Sequence, residues 1–166
     1  MAERLVVAVL GKRNSGKSST WNALFGSEVR TGQKSRKLWL SAAEWIEVFL
    51  VSGSPEERET FIGEILPTLP ENGATVVLCS MQYRADVTGT LDFFINNGFQ
   101  TKVIWLNPGY GSPEYTDELQ LVPYLIENGA WVVRRDANFN LGIRCQEIRE
   151  ILYGWGWARG LLHPRT

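Results

Sequence analysis

The sequence predicts an α/β protein in three layers: a six-stranded, mostly parallel sheet with one antiparallel hairpin strand, and helices on both faces. Three observations predict it. Short apolar runs alternate with helical patterns, six of the first and five of the second, along 166 residues. Most of those runs are apolar throughout, as strands buried on both faces are. Two of them, 37–42 and 45–52, are joined by a link too short for a crossover helix, so they must pair antiparallel.

Each element has its own signature. "RLVVAVL" (4–10) reads as a strand. A helix over Lys17–Phe25 comes next, with Trp21, Leu24 and Phe25 spaced i, i+3, i+4. "KLWLSA" (37–42) and "WIEVFLVS" (45–52) form the hairpin. Pro55 opens a helix through "PEERETFIGEIL", whose apolar face is Phe61, Ile62, Ile65 and Leu66. "ATVVLCS" (74–80) is a buried strand, and "VTGTLDFFINNG" (87–98) a helix closed by Gly98. "KVIWLN" (102–107) is a strand that runs into the loop "NPGYGSP". A helix spans about Glu114 to Glu127, with Pro123 marking a kink or restart. "AWVVRR" (130–135) is the last strand and "LGIRCQEIREILYG" (141–154) the last helix. There is no internal repeat and no low-complexity linker, so residues 1–166 read as one domain. In such folds the ligand lies at the C-terminal ends of the strands. That gathers the loops after Leu10, Ser52, Ser80, Asn107 and Arg135 around one site.

Composition narrows the function classes. Apolar residues make up 44% and charged residues 21%, ordinary for a soluble globular chain. A net charge of −1 gives no bulk attraction to nucleic acid or an anionic membrane. The longest apolar runs, six to seven residues, fall far short of a membrane span. No signal peptide is read at the N-terminus, and the expectation is a cytoplasmic protein. Cys79 and Cys145 read as buried free thiols, not as a disulfide or a metal site. The single histidine, His163, cannot supply a metal cluster.

The chemistry is concentrated in Gly11 to Ser18, which matches G-x-x-x-x-G-K-[ST] without exception. Gly11 and Gly16 permit backbone angles that a side chain forbids. Backbone N–H groups then form an anion cradle at the start of a helix. Lys17 places a positive charge on the β- and γ-phosphates, and Ser18 offers a hydroxyl to Mg²⁺. The motif requires a strand before it and a helix after it, and both are predicted here. The alternative is a glycine-rich turn of no function.

The longer stretch "GKRNSGKSSTWNALFG" resembles the signature G-x-x-N-x-G-K-S-[ST]-x-x-N-A-L-x-G of Era- and TrmE-type GTPases, in the translation-factor-like branch of P-loop NTPases. Asn14, Ser19, Asn22, Ala23, Leu24 and Gly26 fall on it. The order of elements resembles that family over the whole chain, whereas the motif covers only about residues 5–26. The resemblance implies a P-loop NTPase fold that binds ATP or GTP with Mg²⁺. It makes Gly11, Arg13, Asn14, Ser15, Gly16, Lys17, Ser18 and Ser19 the candidate nucleotide contacts, with Lys17 as the catalytic charge and Ser18 as the metal ligand.

The chain departs from that family at two places. Those GTPases end the strand read here as 45–52 with an Asp, followed by x-x-Gly. This Asp holds Mg²⁺ through water. Here the stretch is "LVSGSPEE", with Ser52 or Ser54 in its place. The next strand runs into "VLCSMQYRAD", which offers Ser80 and, six residues on, Asp86. Glu56 and Glu57 lie near, but acids also suit the N-terminus of their own helix. For guanine, the family uses Asn-Lys-x-Asp. Here "LNPGYG" keeps Asn107, puts Pro108 at the Lys and Tyr110 at the Asp. Asn107 is a candidate nucleotide contact and equally a turn residue before Pro108. Asp136 either approaches a base or caps the next segment.

Two further segments carry open readings. In "SEVRTGQKSRKL", Thr31 and Ser35 stand where the first switch loop belongs, and Arg30, Lys34, Arg36 and Lys37 make it basic. It is otherwise a solvated loop. The tail "YGWGWARGLLHPRT" holds Trp155 and Trp157, which either dock a protein partner or pack the last helix on the sheet. The expectation is a nucleoside-triphosphate-binding protein with slow Mg²⁺-dependent hydrolysis and little preference for guanine. Two alternatives stand beside it. One is a non-catalytic nucleotide-binding module acting through a partner at the Trp155–Trp157 tail or the Arg30–Lys37 loop. The other is a kinase for a small molecule or a nucleotide.

Overall fold

The computed structural model describes residues 2–166. In chain order the elements are β1 (Ala2–Gly11), α1 (Lys17–Phe25), β2 (Arg36–Trp39), β3 (Glu44–Val51), α2 (Pro55–Arg58), α3 (Ile62–Ile65), β4 (Gly73–Gln82), α4 (Val87–Asn96), β5 (Phe99–Leu106), α5 (Leu121–Glu127), β6 (Trp131–Arg135), α6 (Leu141–Trp157) and β7 (His163–Pro164). The sheet runs β2-β3-β4-β1-β5-β6. Only β2 and β7, both on β3, pair antiparallel; the other neighbours are parallel. An α/β chain with a mixed, mostly parallel sheet is therefore what the apolar runs build.

The continuous apolar runs are explained by burial on both faces. Along β1, Leu5, Val7 and Val9 face a core with Trp21 and Leu24 of α1 and Cys145, Ile148 and Leu152 of α6. Val6, Ala8 and Leu10 face a second core with Leu91 and Phe94 of α4 and Leu121 and Leu125 of α5. Both cysteines are buried in these cores as free thiols.

Four expectations need correction. The helix expected from Pro55 onward is broken into two single turns. Glu59 between them is left-handed, with φ 52°. Glu56, Ile62 and Ile65 are all buried, yet residues six apart lie about 120° off on a regular helix. The break turns both ends inward. The helix expected from Glu114 starts only at Leu121. The Asp117 carboxylate accepts from the Leu121 and Val122 N–H groups at 3.0 and 2.8 Å, and Pro123 then falls in the first turn, where it displaces no helical donor. The last helix runs on to Trp157 instead of stopping at Gly154. The sheet gains a seventh, two-residue strand, in which His163 stacks on Trp45 at 4.1 Å. Among the described residues, no helix is long and apolar enough to cross a membrane.

Spatial order departs from chain order beside the glycine loop. β4 lies between β1 and β3. Cys79 of β4 is level with Ala8 of β1 and with Val51, the last residue of β3. β3 therefore ends one strand away from β1 and three residues short of its Gly11 end.

Candidate functional site

The chain leaves β1 at Gly11 and turns into α1 at Lys17. Asn14 and Gly16 make the turn in left-handed conformations, φ 60° and 103°. A side chain at residue 16 would be strained there. At Gly11 the restraint is space instead, because a Cβ would lie 2.3 Å from the Ser15 Oγ. The loop is braced from outside. Its Ser15 carbonyl accepts from the Tyr110 N–H at 2.9 Å. Gly109 passes so near that a Cβ would sit 2.8 Å from the Ser15 Cβ. Asn138 in turn holds Gly109 and Gly111 by their main-chain groups. Asp136 accepts from the Asn138 N–H, so its role here is to shape this turn.

Inside the loop, the start of α1 is open. No side chain caps it and no acid stands in its first turn. The N–H groups of a first turn have no intrahelical partner. Ser15 is almost fully buried, and its hydroxyl has no hydrogen-bond partner. Lys17 is 6% exposed. Its ammonium donates to the carbonyls of Gly11 and Lys12 at 3.2 and 2.9 Å and to the Gln82 Oε1 at 3.1 Å. The Glu57 carboxylate lies 3.5 Å away. Burial lowers the lysine pKa from its usual range, and Glu57 pulls it back up.

A cleft of about 330 Å³ opens over this loop. It is lined by Asn14 through Ser19, by Ser52 to Ser54, and by Glu57 and Tyr110. Of the expected contacts, the structure brings Asn14, Ser15, Gly16, Lys17, Ser18 and Ser19 together here. Gly11 anchors the loop from beneath. Arg13 lies elsewhere, on a separate hollow with Lys12, Tyr83 and Tyr115. Asn107 is also not in the cleft. It is buried, and its side chain is used up on Tyr115, accepting from its N–H at 3.0 Å and donating to its carbonyl at 2.6 Å. Its turn role accounts for the residue.

The three candidate acids separate cleanly. Glu56 is 4% exposed, and its carboxylate accepts from the Gln82 N–H at 2.7 Å and from the Thr90 hydroxyl. It fastens α2 to the end of β4. Asp86 pairs with Arg84 on the surface. Glu57 alone reaches the cleft. Its N–H caps α2 through the Ser54 hydroxyl at 3.3 Å, which leaves the carboxylate free to face Lys17. The S-x-x-E spacing of Ser54 and Glu57 marks such a helix start in the sequence, but not the lysine beyond it. Ser80, the other candidate strand end, accepts from the Trp21 indole N–H at 2.8 Å. Sequence reasoning misses Gln82 and Arg144, which no motif singles out. Arg144 is buried and donates from Nε to the Thr20 hydroxyl at 3.0 Å, which itself donates to the Gly16 carbonyl at 2.8 Å.

The outlying segments resolve in part. The Thr31 hydroxyl accepts from the Ser52 N–H at 2.9 Å, tying its loop to the lip of the cleft. Arg30 pairs with Glu28, Arg36 lies over Phe25 and Lys37 over Trp45, so three of the four basic residues are engaged locally. Trp155 is buried and donates to Gln100 at 3.0 Å, whereas Trp157 is 68% exposed. Among the described residues no group of three or more His, Cys, Asp or Glu is placed to hold a metal. No protein-family model matches the chain, and no curated protein sequence matches it either.

Proposed function

We propose that the cleft over residues 11–19 binds the phosphates of a nucleoside triphosphate, in the manner of a P-loop NTPase. One observation carries this: an uncapped helix start and a buried lysine converge on a single cleft. An anionic ligand rich in acceptors suits both the open N–H groups and the lysine, whose own donors serve Gly11, Lys12 and Gln82. Phosphate oxygens would take the first-turn N–H groups and the Lys17 ammonium.

The groups around the cleft also fit Mg²⁺ carried in by the ligand. Ser18 is exposed in the cleft and Glu57 supplies a carboxylate there. With few protein acids, the cation would rely on phosphate oxygens for most of its shell, as Mg²⁺ does at phosphate sites. When bound, it would neutralise phosphate charge. The chain's own residues hold and orient the phosphates, and Ser52 and Ser54 add neutral polar walls.

Positioning and charge neutralisation dominate phosphoryl transfer, so such a site is expected to hydrolyse its ligand slowly. The neutral ends of β3 and β4, Val51–Ser52 and Gln82, equally support a module that binds nucleotide without turning it over. Titration with Mg²⁺–ATP and Mg²⁺–GTP tests the reading. Lys17→Ala should abolish binding while leaving the fold intact by circular dichroism. Equal affinity in the variant would refute it.

A further inference from the structure

Among the described residues lining the cleft, Lys17 is the only cationic side chain and Glu57 the only anionic one. They stand 3.5 Å apart. The remaining lining side chains are neutral: serines, glycines, Asn14 and Tyr110. The lysine is buried and hydrogen-bonded to its own loop, while Glu57 is 40% exposed at the cleft wall. The carboxylate thus occupies the face of the lysine that an incoming anion has to approach. Glu56 cannot share this role, because both of its oxygens are committed to Gln82 and Thr90.

Resting on the triphosphate reading above, we infer that Glu57 is the specificity residue that makes this cleft select a cation-loaded triphosphate over a metal-free one. The charge arithmetic is local. Before binding, the lysine and the glutamate cancel. A polyphosphate that takes the lysine leaves Glu57 beside several negative oxygens with no counter-charge from the protein. A divalent cation between the carboxylate and the phosphates removes that repulsion, directly or through its water. A metal-free triphosphate meets it in full, and a single phosphate brings too little charge to displace the carboxylate. Like charges at contact distance near a protein surface are worth roughly a tenfold or larger change in affinity.

The test is calorimetric titration of ATP and of inorganic tripolyphosphate, each in Mg²⁺ and in EDTA, into the full chain and its Glu57→Gln and Glu57→Asp variants. The backbone N–H that caps α2 survives both substitutions, so the fold is retained. The expected result is a Mg²⁺/EDTA affinity ratio of about ten or more in the wild type. It falls toward one in Glu57→Gln, chiefly because metal-free binding tightens, and returns in Glu57→Asp. Tripolyphosphate should behave as ATP does, since the effect lies at the phosphates. A ratio unchanged in Glu57→Gln overturns the inference and leaves the nucleotide reading standing. A wild type that binds neither probe under either condition refutes that reading itself.

Discussion

Glu56 offers a test of how the cleft is held in shape. Its carboxylate accepts from the buried Gln82 N–H at 2.7 Å and from the Thr90 hydroxyl. Gln82 is the residue whose side chain reaches Lys17. Removing the carboxylate with Glu56→Ala strands the Gln82 N–H and leaves Thr90 to find another acceptor. A buried group left unsatisfied costs about 1–3 kcal/mol, so the variant should lose about 2–4 kcal/mol once Thr90 relaxes in part. Glu56→Gln differs. Its carbonyl oxygen can take the Gln82 N–H, and its amide can donate to a rotated Thr90 hydroxyl. That variant should stay within about 1 kcal/mol of wild type at neutral pH.

The pH dependence separates the two effects. Burial raises the Glu56 pKa from its usual 4.5, against the hydrogen bonds that lower it. The folded state therefore takes up the proton more readily than the unfolded chain does. The associated stability is fully present below pH 4.5 and is lost as pH rises through the folded-state value. At neutral pH the wild type carries a desolvated charge that the glutamine lacks. Urea unfolding at pH 7 and near pH 5 should then show wild type gaining on Glu56→Gln as pH falls. A glutamine as damaging as the alanine, or a wild-type-to-glutamine gap that does not move with pH, would refute the reasoning.

Two other outcomes rest on the geometry. Trp21→Phe and Ser80→Ala should each destabilise, with a coupling of about 1 kcal/mol in a double-mutant cycle, because the indole and hydroxyl serve each other; urea midpoints of the four proteins measure it. With Tyr110 in the cleft wall and Asn107 committed to Tyr115, no carboxylate from the 107–111 loop stands ready for guanine, so competition titration should place ATP and GTP within roughly tenfold of each other.

The parts of this fold legible in the sequence are those set by local pattern. Continuous apolar runs announce β1, β4 and β5, since burial on both faces removes the alternation that would otherwise mark a strand. The glycine loop and α1 are legible because Gly11, Gly16 and the helix after them obey backbone and capping rules within sixteen residues. The broken segment 55–66 is not legible. Its helical pattern is genuine residue by residue, but Glu56 and Ile62 are pulled inward by different partners, β4 and the core beside α4. Nothing local reports that conflict. Trp155 and Trp157 show the same limit, as two similar aromatics two residues apart that a helix sends one into the core and one to solvent.

The site is legible in its glycine-loop half and obscure in its acidic half, and the strand order supplies part of the reason. A search for an acid at a strand end assumes that the strand in question abuts the loop. Here β4 intervenes, and β3 stops level with Ala8. Ser52, just past the end of β3, does reach the cleft wall, but with a neutral hydroxyl. The strand that does reach the loop ends in Gln82, whose amide is already used on Lys17. The carboxylate that does enter the cleft comes from the connection between β3 and β4. There Ser54 starts a single helical turn, and that turn points Glu56 at β4 and Glu57 at the lysine. Adjacent glutamates with one sequence-level reading thereby acquire separate tasks. One is a buried brace and the other the only anion among the described residues lining the cleft, and the division comes from the fold around a four-residue helix, not from either side chain alone.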